Sequence, residues 1–255
     1  MTGPTGCAEA VQVWLVPDQR STAALADLLS VLDAEERQRA DACRTADDRR
    51  RFIVAHGAVR HIVARRLGAP AEEIRWRRGP HGKPELTGRW TGTQVNLSHS
   101  DDVGMVAVTA SRRVGVDVQR VLPRMDAGAM ANRYFPPEEA RFVRAAADAE
   151  DRAERFARLW ARKEALVKAH GGRLMQGLRI PVRDLGPGTG ERPPRLRHPG
   201  GPGDPRDAWS RGYRITDVPA PRGYRAAVAL GGPGGYRVDW RRWSWPGPAR
   251  GTGAT

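Results

Sequence analysis

The chain has 255 residues, which is enough for one large domain or two small ones with a sizeable core. Its formal charge of +14 favours an acidic partner, such as nucleic acid, a polyanionic cofactor or an acidic protein, although nucleotide composition alone can enrich Arg together with Ala, Gly and Pro. The two cysteines, Cys7 and Cys43, have neither zinc-ligand nor disulfide spacing, and we expect no leader and no membrane span. Composition thus argues against a secreted disulfide scaffold or a membrane protein and predicts a cytoplasmic location.

The first part of the chain alternates predicted strands and helices. Residues 11–15 form a predicted strand, and Asp33 with Glu36 three residues later predicts a capping box that opens a short helix. A longer helix is predicted for 46–67, because Gly68 follows its apolar periodicity and supplies a stop.

A turn and a strand follow. The predicted turn spans 79–86, and within it Pro84 forces Lys83 out of the helical region, so Lys83 presents its side chain from extended backbone. Residues 94–100 form a predicted strand on which Val95 and Leu97 face one way. Asn96, Ser98 and Ser100 face the other way. His99 breaks this alternation at the strand end, where it either reaches a ligand or has a structural role.

The segments 104–109 and 114–119 are predicted to form a hairpin joined by 111–113. In the second strand the valines take one face, while Gly115, Asp117 and Gln119 take the other, so a carboxylate and an amide project side by side. Gly115 leaves room beside them for a ligand or for another backbone.

A helix around 156–168 carries an apolar stripe and is predicted to end at Gly171. Trp160, Glu164 and Lys168 are spaced by four residues and therefore lie along one edge of this stripe. Among 43 basic residues the chain has three lysines, Lys83, Lys163 and Lys168. Lys carries a compact ammonium on a flexible stem, whereas Arg carries a planar fork, and sites that need the compact charge are often phosphate sites, so these positions predict phosphate contacts. For the helix, the alternative is a solvated Glu–Lys pair on the surface.

The rest of the chain gives weaker signals. The run from Pro136 to Glu139 is a predicted helix start, with proline early and carboxylates near the positive end. An irregular loop is predicted for 186–207, closing strands for 213–215 and 224–230, and disorder from 246 onward.

Four of these segments together resemble the 4′-phosphopantetheinyl transferases of the surfactin-synthetase-activating type. They are Gly-Lys-Pro, Asn-Leu-Ser-His-Ser, Gly-Val-Asp-Val-Gln and Trp-x-x-Lys-Glu-Ala-x-x-Lys, in the family's order, and the resemblance covers about 34–174. Each motif alone is weak, and the four in order are specific. The resemblance implies an α+β fold of two similar α/β halves in a pseudo-twofold arrangement, with the active site between them. We place the N-terminal, coenzyme A-binding half at 1–112 and a disordered tail at 246–255. The C-terminal half, with the magnesium-binding motifs and the contact with the carrier protein, is placed at 113–245.

The implied reaction transfers 4′-phosphopantetheine from coenzyme A to a serine hydroxyl of an apo acyl or peptidyl carrier protein and releases 3′,5′-ADP. The resemblance implies dependence on Mg²⁺ and a carrier protein with an acidic surface, such as those of secondary metabolite biosynthesis. It implies no nucleic acid and no membrane as partner. A chain with two similar halves is expected to act as a monomer.

The resemblance also assigns roles to residues. It places Asp117, Gln119 and Glu164 at the metal, although much of the family has Glu where this chain has Gln119, so one negative charge is missing. The catalytic residues would be Glu164, Lys168 and Glu139, with Glu139 as the general base unless Glu164 or a metal-bound water serves instead. The residues expected to contact coenzyme A are Arg39, Arg51, Lys83, Pro84, Ser98, His99, Lys163 and Lys168.

Two other classes of protein stay open at this point. A metal-dependent nuclease could use Asp117 with a second acid and a lysine, but that chemistry usually sets the acid and the lysine one residue apart on a neighbouring strand. An Arg-rich nucleic-acid-binding protein would focus its basic residues on one helix or one aromatic platform, whereas here they are spread along the chain.

Overall fold

The computed structural model describes residues 9–19, 21–79, 82–182, 212–232, 234–245 and 247. The predicted loop at 186–207 lies outside these residues. The predicted tail from 246 onward also lies outside them, apart from Gly247.

The first part of the chain folds where local signals place its helices. The predicted capping box is confirmed, because Asp33 and Glu36 exchange side-chain and backbone hydrogen bonds. The long helix begins after the cap Thr45 and ends at Gly68, whose φ of 62° is left-handed. The elements are β1 (Glu9–Pro17), α1 (Thr22–Ser30), α2 (Ala34–Asp41), α3 (Ala46–Leu67), β2 (Trp76–Arg78), β3 (Pro84–Leu86), β4 (Gln94–Ser100) and β5 (Val103–Thr109).

The second part repeats the pattern of a strand followed by helices. Its long helix begins after the cap Asp148 and ends at Gly171, which is again left-handed with φ 81°. The elements are β6 (Val114–Arg120), α4 (Ala127–Tyr134), α5 (Pro137–Arg144), α6 (Ala149–His170), α7 (Leu174–Gly177), β7 (Tyr213–Val218), β8 (Tyr224–Gly231) and β9 (Tyr236–Arg242).

The strands form two main sheets and one small hairpin. The first sheet has the order β4-β5-β1-β9, with β9 parallel to β1 and the other pairs antiparallel. The second sheet has the order β6-β8-β7 and is antiparallel throughout. β2 pairs with β3. The last strand of the described chain therefore belongs to the sheet that the first strand begins.

The predicted β5–β6 hairpin is wrong. β5 pairs with β1 and β4, whereas β6 pairs with β8 in the other sheet. The turn between β5 and β6 carries the chain from the first sheet to the second. At the end of this turn, the carbonyl oxygen of Arg113 accepts a hydrogen bond from the backbone N–H of Gly231. The alternating valines of β6 pack on residues of β1 and β5 in a core that the two sheets share. The alternation that predicted a hairpin therefore reflects the packing of one sheet face to face on the other.

In the described part of the chain, three large hydrophobic cores separate four layers. One core lies between the first sheet and α1 and α3, and another lies between the second sheet and α4, α5 and α6. The third lies between the two sheets and consists mainly of valines from β1, β5, β6 and β8. The order of layers is therefore helices, sheet, sheet, helices.

The α+β class is confirmed by this mixture of helices and sheets. Two helices of 22 residues each, α3 and α6, cover the outer faces of the two sheets. The pseudo-twofold axis and the domain boundaries stay predictions. No helix within the described ranges is both long and apolar enough to cross a bilayer.

Candidate active site

A row of polar side chains on β4 joins the two sheets. Asn96 Oδ1 accepts a hydrogen bond from the backbone N–H of Val116 at 2.8 Å, and Ser98 Oγ accepts one from Val118 N–H at 3.4 Å. Ser100 Oγ continues the row by accepting one from the Arg120 backbone. The predicted alternation along β4 is thus confirmed, because its polar side chains bond to the backbone of β6.

Gly115 on β6 brings helix α6 unusually close. A Cβ atom at this position would lie 2.1 Å from the carbonyl oxygen of Ala165 and 2.4 Å from the backbone nitrogen of Ala169. Since no side chain fits in that space, the backbones of strand and helix are in direct contact. Of the two occupants expected beside Gly115, a ligand or another backbone, the structure shows another backbone.

This close packing places Lys168 of α6 against Asp117 of β6. The ammonium Nζ of Lys168 lies 2.6 Å from Asp117 Oδ1, 2.9 Å from Ser98 Oγ and 3.4 Å from Glu164 Oε2. The hydroxyl of Ser98 donates to the same Asp117 oxygen at 2.6 Å. We call Ser98, Asp117, Glu164 and Lys168 the Asp117 cluster; it combines a strand of each sheet with one helix.

The charges of the Asp117 cluster are strongly coupled. Asp117 is 2% exposed, and its burial together with the nearby charge of Glu164 raises its pKa to about 7, although Lys168 and Ser98 act in the opposite direction. Burial alone would lower the pKa of Lys168, but Asp117 and Glu164 raise it above its ordinary value. The lysine thus stays charged between two carboxylates.

Two features of the cluster suit a hard cation. Within the described residues Asp117 Oδ2 is buried and has no hydrogen-bond partner, so an acceptor oxygen is available there. Gln119 and Glu164 line one cavity of about 290 Å³. The described residues contain no group of three or more His, Cys, Asp or Glu side chains arranged for a metal. Two carboxylates and an amide suit Mg²⁺, which takes few protein ligands and keeps several waters.

Several residues expected to contact coenzyme A lie around a second cavity of about 240 Å³ in the first part of the chain. Arg39, Pro84 and His99 line this cavity together with His56. Loss of water around the ring, followed by the positive charges of His56, Lys168 and Arg51, lowers the pKa of His99. His99 therefore lies in a positive field that an anionic ligand would relieve.

Arg51 and Lys83 have partners within the chain. Arg51 Nε donates to Asp102 Oδ1 at 3.1 Å. Lys83 Nζ donates to the carbonyl oxygen of Val114 at 2.9 Å, so the Gly-Lys-Pro turn is tied to the first residue of β6. Burial, with a further contribution from Arg113, lowers the pKa of Lys83 to about 8. One of its three N–H donors is used in this bond, and the ammonium keeps others for a ligand.

Glu139 and Lys163 are not part of the Asp117 cluster. Lys163 Nζ lies 2.6 Å from Glu139 Oε2, with the two side chains 0% and 2% exposed. Lys163 also donates to the Ile180 carbonyl, and Glu139 accepts from the Val182 backbone. This buried ion pair argues against a contact of Lys163 with coenzyme A and against Glu139 as the general base. Both side chains hold α5, α6 and the following segment together and offer no surface to a substrate.

Two further residues belong to the surroundings of the site, and sequence reasoning gave them no role. Trp160 donates its indole N–H to Glu164 Oε1 at 2.8 Å, and the spacing of four residues was the available signal. His56 Nδ1 lies 3.2 Å from Glu36 Oε1, and the fully buried Arg60 also binds Glu36. No motif marks this second group, since its members meet only in the fold.

Comparisons with known proteins agree with this geometry. Residues 18–111 match the family described as 4′-phosphopantetheinyl transferase, N-terminal, and residues 113–203 match the 4′-phosphopantetheinyl transferase superfamily. The chain is 31% identical over 174 residues to a putative 4′-phosphopantetheinyl transferase of Synechocystis sp., covering 68% of this chain and 70% of that protein. It is 33% identical over 163 residues to 4′-phosphopantetheinyl transferase HetI of Nostoc sp., covering 63% and 68% of the two chains. For 4′-phosphopantetheinyl transferase psf-1 of Bacillus pumilus the values are 29% over 169 residues, covering 66% and 70%.

The motif order, the meeting of three of the four motifs in the Asp117 cluster and these similarities define a transferase. The chain belongs to the 4′-phosphopantetheinyl transferase family. The resemblance inferred from the four sequence motifs is thereby confirmed, and the nuclease and nucleic-acid-binding alternatives are set aside.

Proposed function

We propose that the chain transfers the 4′-phosphopantetheine group of coenzyme A to a serine hydroxyl of an acyl or peptidyl carrier protein. The serine oxygen forms a bond to the β-phosphorus of the pyrophosphate, the bond from that phosphorus to the bridging oxygen breaks, and 3′,5′-ADP leaves. The observation that carries the proposal is the contact of Lys168 with Asp117 and Glu164, because it places a cation and two carboxylates at one point where β4 and β6 meet beside α6.

The chain's own residues divide the task. Lys168 neutralises charge on the diphosphate, and Ser98 holds the lysine and Asp117 in register through two hydrogen bonds. Arg39, Pro84 and His99 bind coenzyme A at the second cavity, which they line, and the positive charges near His99 support an anionic ligand. Arg51 and Lys83, which lie outside this lining, supply further positive charge to coenzyme A. Glu164 takes the serine proton, because Glu139 is buried in its ion pair.

We also propose that Mg²⁺ is bound by Asp117, Glu164 and Gln119. The unpartnered Asp117 Oδ2 and the shared cavity of Gln119 and Glu164 support this assignment. A Mg²⁺ ion held by these residues would supply positive charge to the diphosphate and to the leaving group. Gln119 contributes a carbonyl dipole where much of the family has a full charge, so metal binding depends strongly on the charge that coenzyme A brings.

The carrier protein approaches over the cavity of Gln119 and Glu164. Its wall includes Trp160, and at its rim Leu122 is 41% exposed. Arg124 is exposed two residues further on, which supports a partner with an acidic surface. The cytoplasmic location, the monomeric state and the absence of nucleic acid and membrane from the partners stay predictions.

Intact-mass spectrometry tests the proposed function. The purified chain is incubated with an apo carrier protein, coenzyme A and Mg²⁺, and the carrier should gain the mass of one phosphopantetheine group. A carrier whose acceptor serine is replaced by alanine is the control and should gain nothing. An unchanged mass for several apo carriers, with the chain folded, would contradict the proposal.

A further inference from the structure

Glu164 has two oxygens with different partners. Oε1 accepts the indole N–H of Trp160 at 2.8 Å, and Oε2 lies 3.4 Å from Lys168 Nζ. Trp160, Glu164 and Lys168 are spaced by four residues on α6, so the three groups form a continuous line along one face of the helix. Glu164 Oε1 is therefore held by a hydrogen bond to Trp160, and Oε2 faces Lys168, another member of the Asp117 cluster.

The indole ring is itself held in place. It lies 5.5 Å from the ring of Phe156 and 6.3 Å from that of Phe135, measured between centroids, and Tyr134 packs against it edge to face. Because aromatic packing fixes the ring, the direction of its N–H is fixed as well. A half-buried carboxylate on a flexible side chain would otherwise sample several rotamers.

We propose that Trp160 is a positioning residue for the transfer reaction, acting through Glu164. Its N–H holds Oε1 so that Oε2 alone is presented to Lys168, Asp117 and the bound substrates. This proposal rests on the proposed function, and it adds a residue whose ring does not itself need to touch the reacting atoms. The benefit is preorganisation: the carboxylate reaches its working position before the substrate arrives.

The substitution Trp160→Phe isolates the hydrogen bond, because it keeps an aromatic ring in the cluster and removes the N–H. We expect the rate of transfer at saturating coenzyme A to fall about tenfold, as for the loss of a hydrogen bond to a charged group, with little change in KM for coenzyme A. The matched control is Trp245→Phe. Trp245 also donates its indole N–H to a carboxylate, Asp27 Oδ2 at 2.8 Å, outside the Asp117 cluster. This control should transfer at the wild-type rate.

A double-mutant cycle separates positioning from general packing. In a Glu164→Ala background the partner of the indole is gone. Adding Trp160→Phe to that variant should therefore lower its transfer rate by less than about twofold. An equal loss in both backgrounds would overturn the proposal, because a packing defect does not depend on Glu164.

A spectroscopic measurement tests the same bond without turnover. In a ¹H–¹⁵N spectrum the Trp160 indole resonance is identified by its absence in Trp160→Phe, and in Glu164→Ala it should move, while the Trp245 indole resonance stays in place. A Trp160 resonance that does not move overturns the hydrogen bond and with it the proposal. If instead the indole resonance moves but the wild-type chain modifies no carrier, the proposed function fails and the contact stands.

Discussion

Gln119 lies two residues beyond Asp117 on the same strand, and its side chain carries no charge. It shares a cavity with Glu164, so a change of charge at this position acts on the proposed metal site. Changing the charge of this single side chain therefore tests directly where the cation binds.

We predict that Gln119→Glu lowers the Mg²⁺ concentration that gives half-maximal rate, on the order of tenfold, because a carboxylate binds the ion more strongly than an amide dipole does. The Gln119→Ala variant should lose less transfer activity than the Asp117→Ala variant, since water can fill the position that the amide vacates. The measurement is a Mg²⁺ titration of these variants at saturating coenzyme A.

Gln94→Glu is the matched control for this titration, because it makes the same chemical change on β4 at a residue whose amide donates to the Gly92 carbonyl. It should leave the Mg²⁺ dependence unchanged. If Gln119→Glu also leaves the dependence unchanged, Gln119 does not lie beside the metal.

At the scale of elements, the contact between β6 and α6 sets the geometry of the Asp117 cluster. The backbone of α6 occupies the space that a side chain at Gly115 would need. Asp117 and Lys168 meet because the strand and the helix approach each other this closely.

We predict that Gly115→Ala destabilises the protein by about 1–3 kcal/mol or more, because the added methyl group would lie 2.1 Å from a carbonyl oxygen and the helix must move. Transfer activity should fall as well, since Lys168 moves away from Asp117. Urea unfolding gives the free energy of unfolding for comparison with the rate.

Gly128→Ala is the control for this second prediction. Gly128 lies in α4, where a Cβ atom would be 3.4 Å or more from its neighbours, so alanine should be tolerated or should stabilise by about 0.5–1 kcal/mol. Equal stability of the two variants would contradict the tight contact at Gly115.

The same elements show how far the sequence predicts the fold. Helices α2 and α3 and the end of α6 were predictable because their signals are local: the capping box at Asp33 and the left-handed glycines that follow α3 and α6. The start of α6 was missed, since the prediction began near 156 and the helix begins at Ala149, after the cap Asp148. Helix α1 has such a cap at Ser21, and the prediction omitted it. The pairing of β6 with β8 rather than β5 was not predictable from alternation, because apolar alternation looks the same in a hairpin and in two packed sheets.

The candidate site divides in the same way. Asp117, Glu164, Ser98 and Lys168 were predictable because they belong to motifs, and the structure brings them together. Glu139 and Lys163 belong to matching segments too, but their burial follows from tertiary packing, which a motif does not encode.

At the scale of the whole molecule, Lys83 links the β2–β3 hairpin to the second sheet. Its ammonium donates to the first residue of β6 and is partly removed from water, which lowers its pKa to about 8. Between pH 8 and the ordinary value of 10.5, the unfolded chain holds a proton that the folded chain has released.

We predict that this group makes the free energy of unfolding rise with pH from about 8 to 10.5, because the unfolded state binds more protons in that window. Lys83→Met removes the titration, so the stability of the wild type should increase relative to this variant as pH rises. Urea unfolding of both proteins at several pH values measures the difference. If the free energies of unfolding of the two proteins change in parallel between pH 8 and 10.5, Lys83 titrates normally in the folded state.

The parallel pairing of β9 with β1 has a consequence for biosynthesis. β1 is synthesised before every other described element, and the strand that covers its free edge follows all the strands of the second sheet. Until then the nascent chain exposes an unpaired edge that is able to pair with other chains. The first sheet is therefore completed only after all strands of the second sheet have been synthesised.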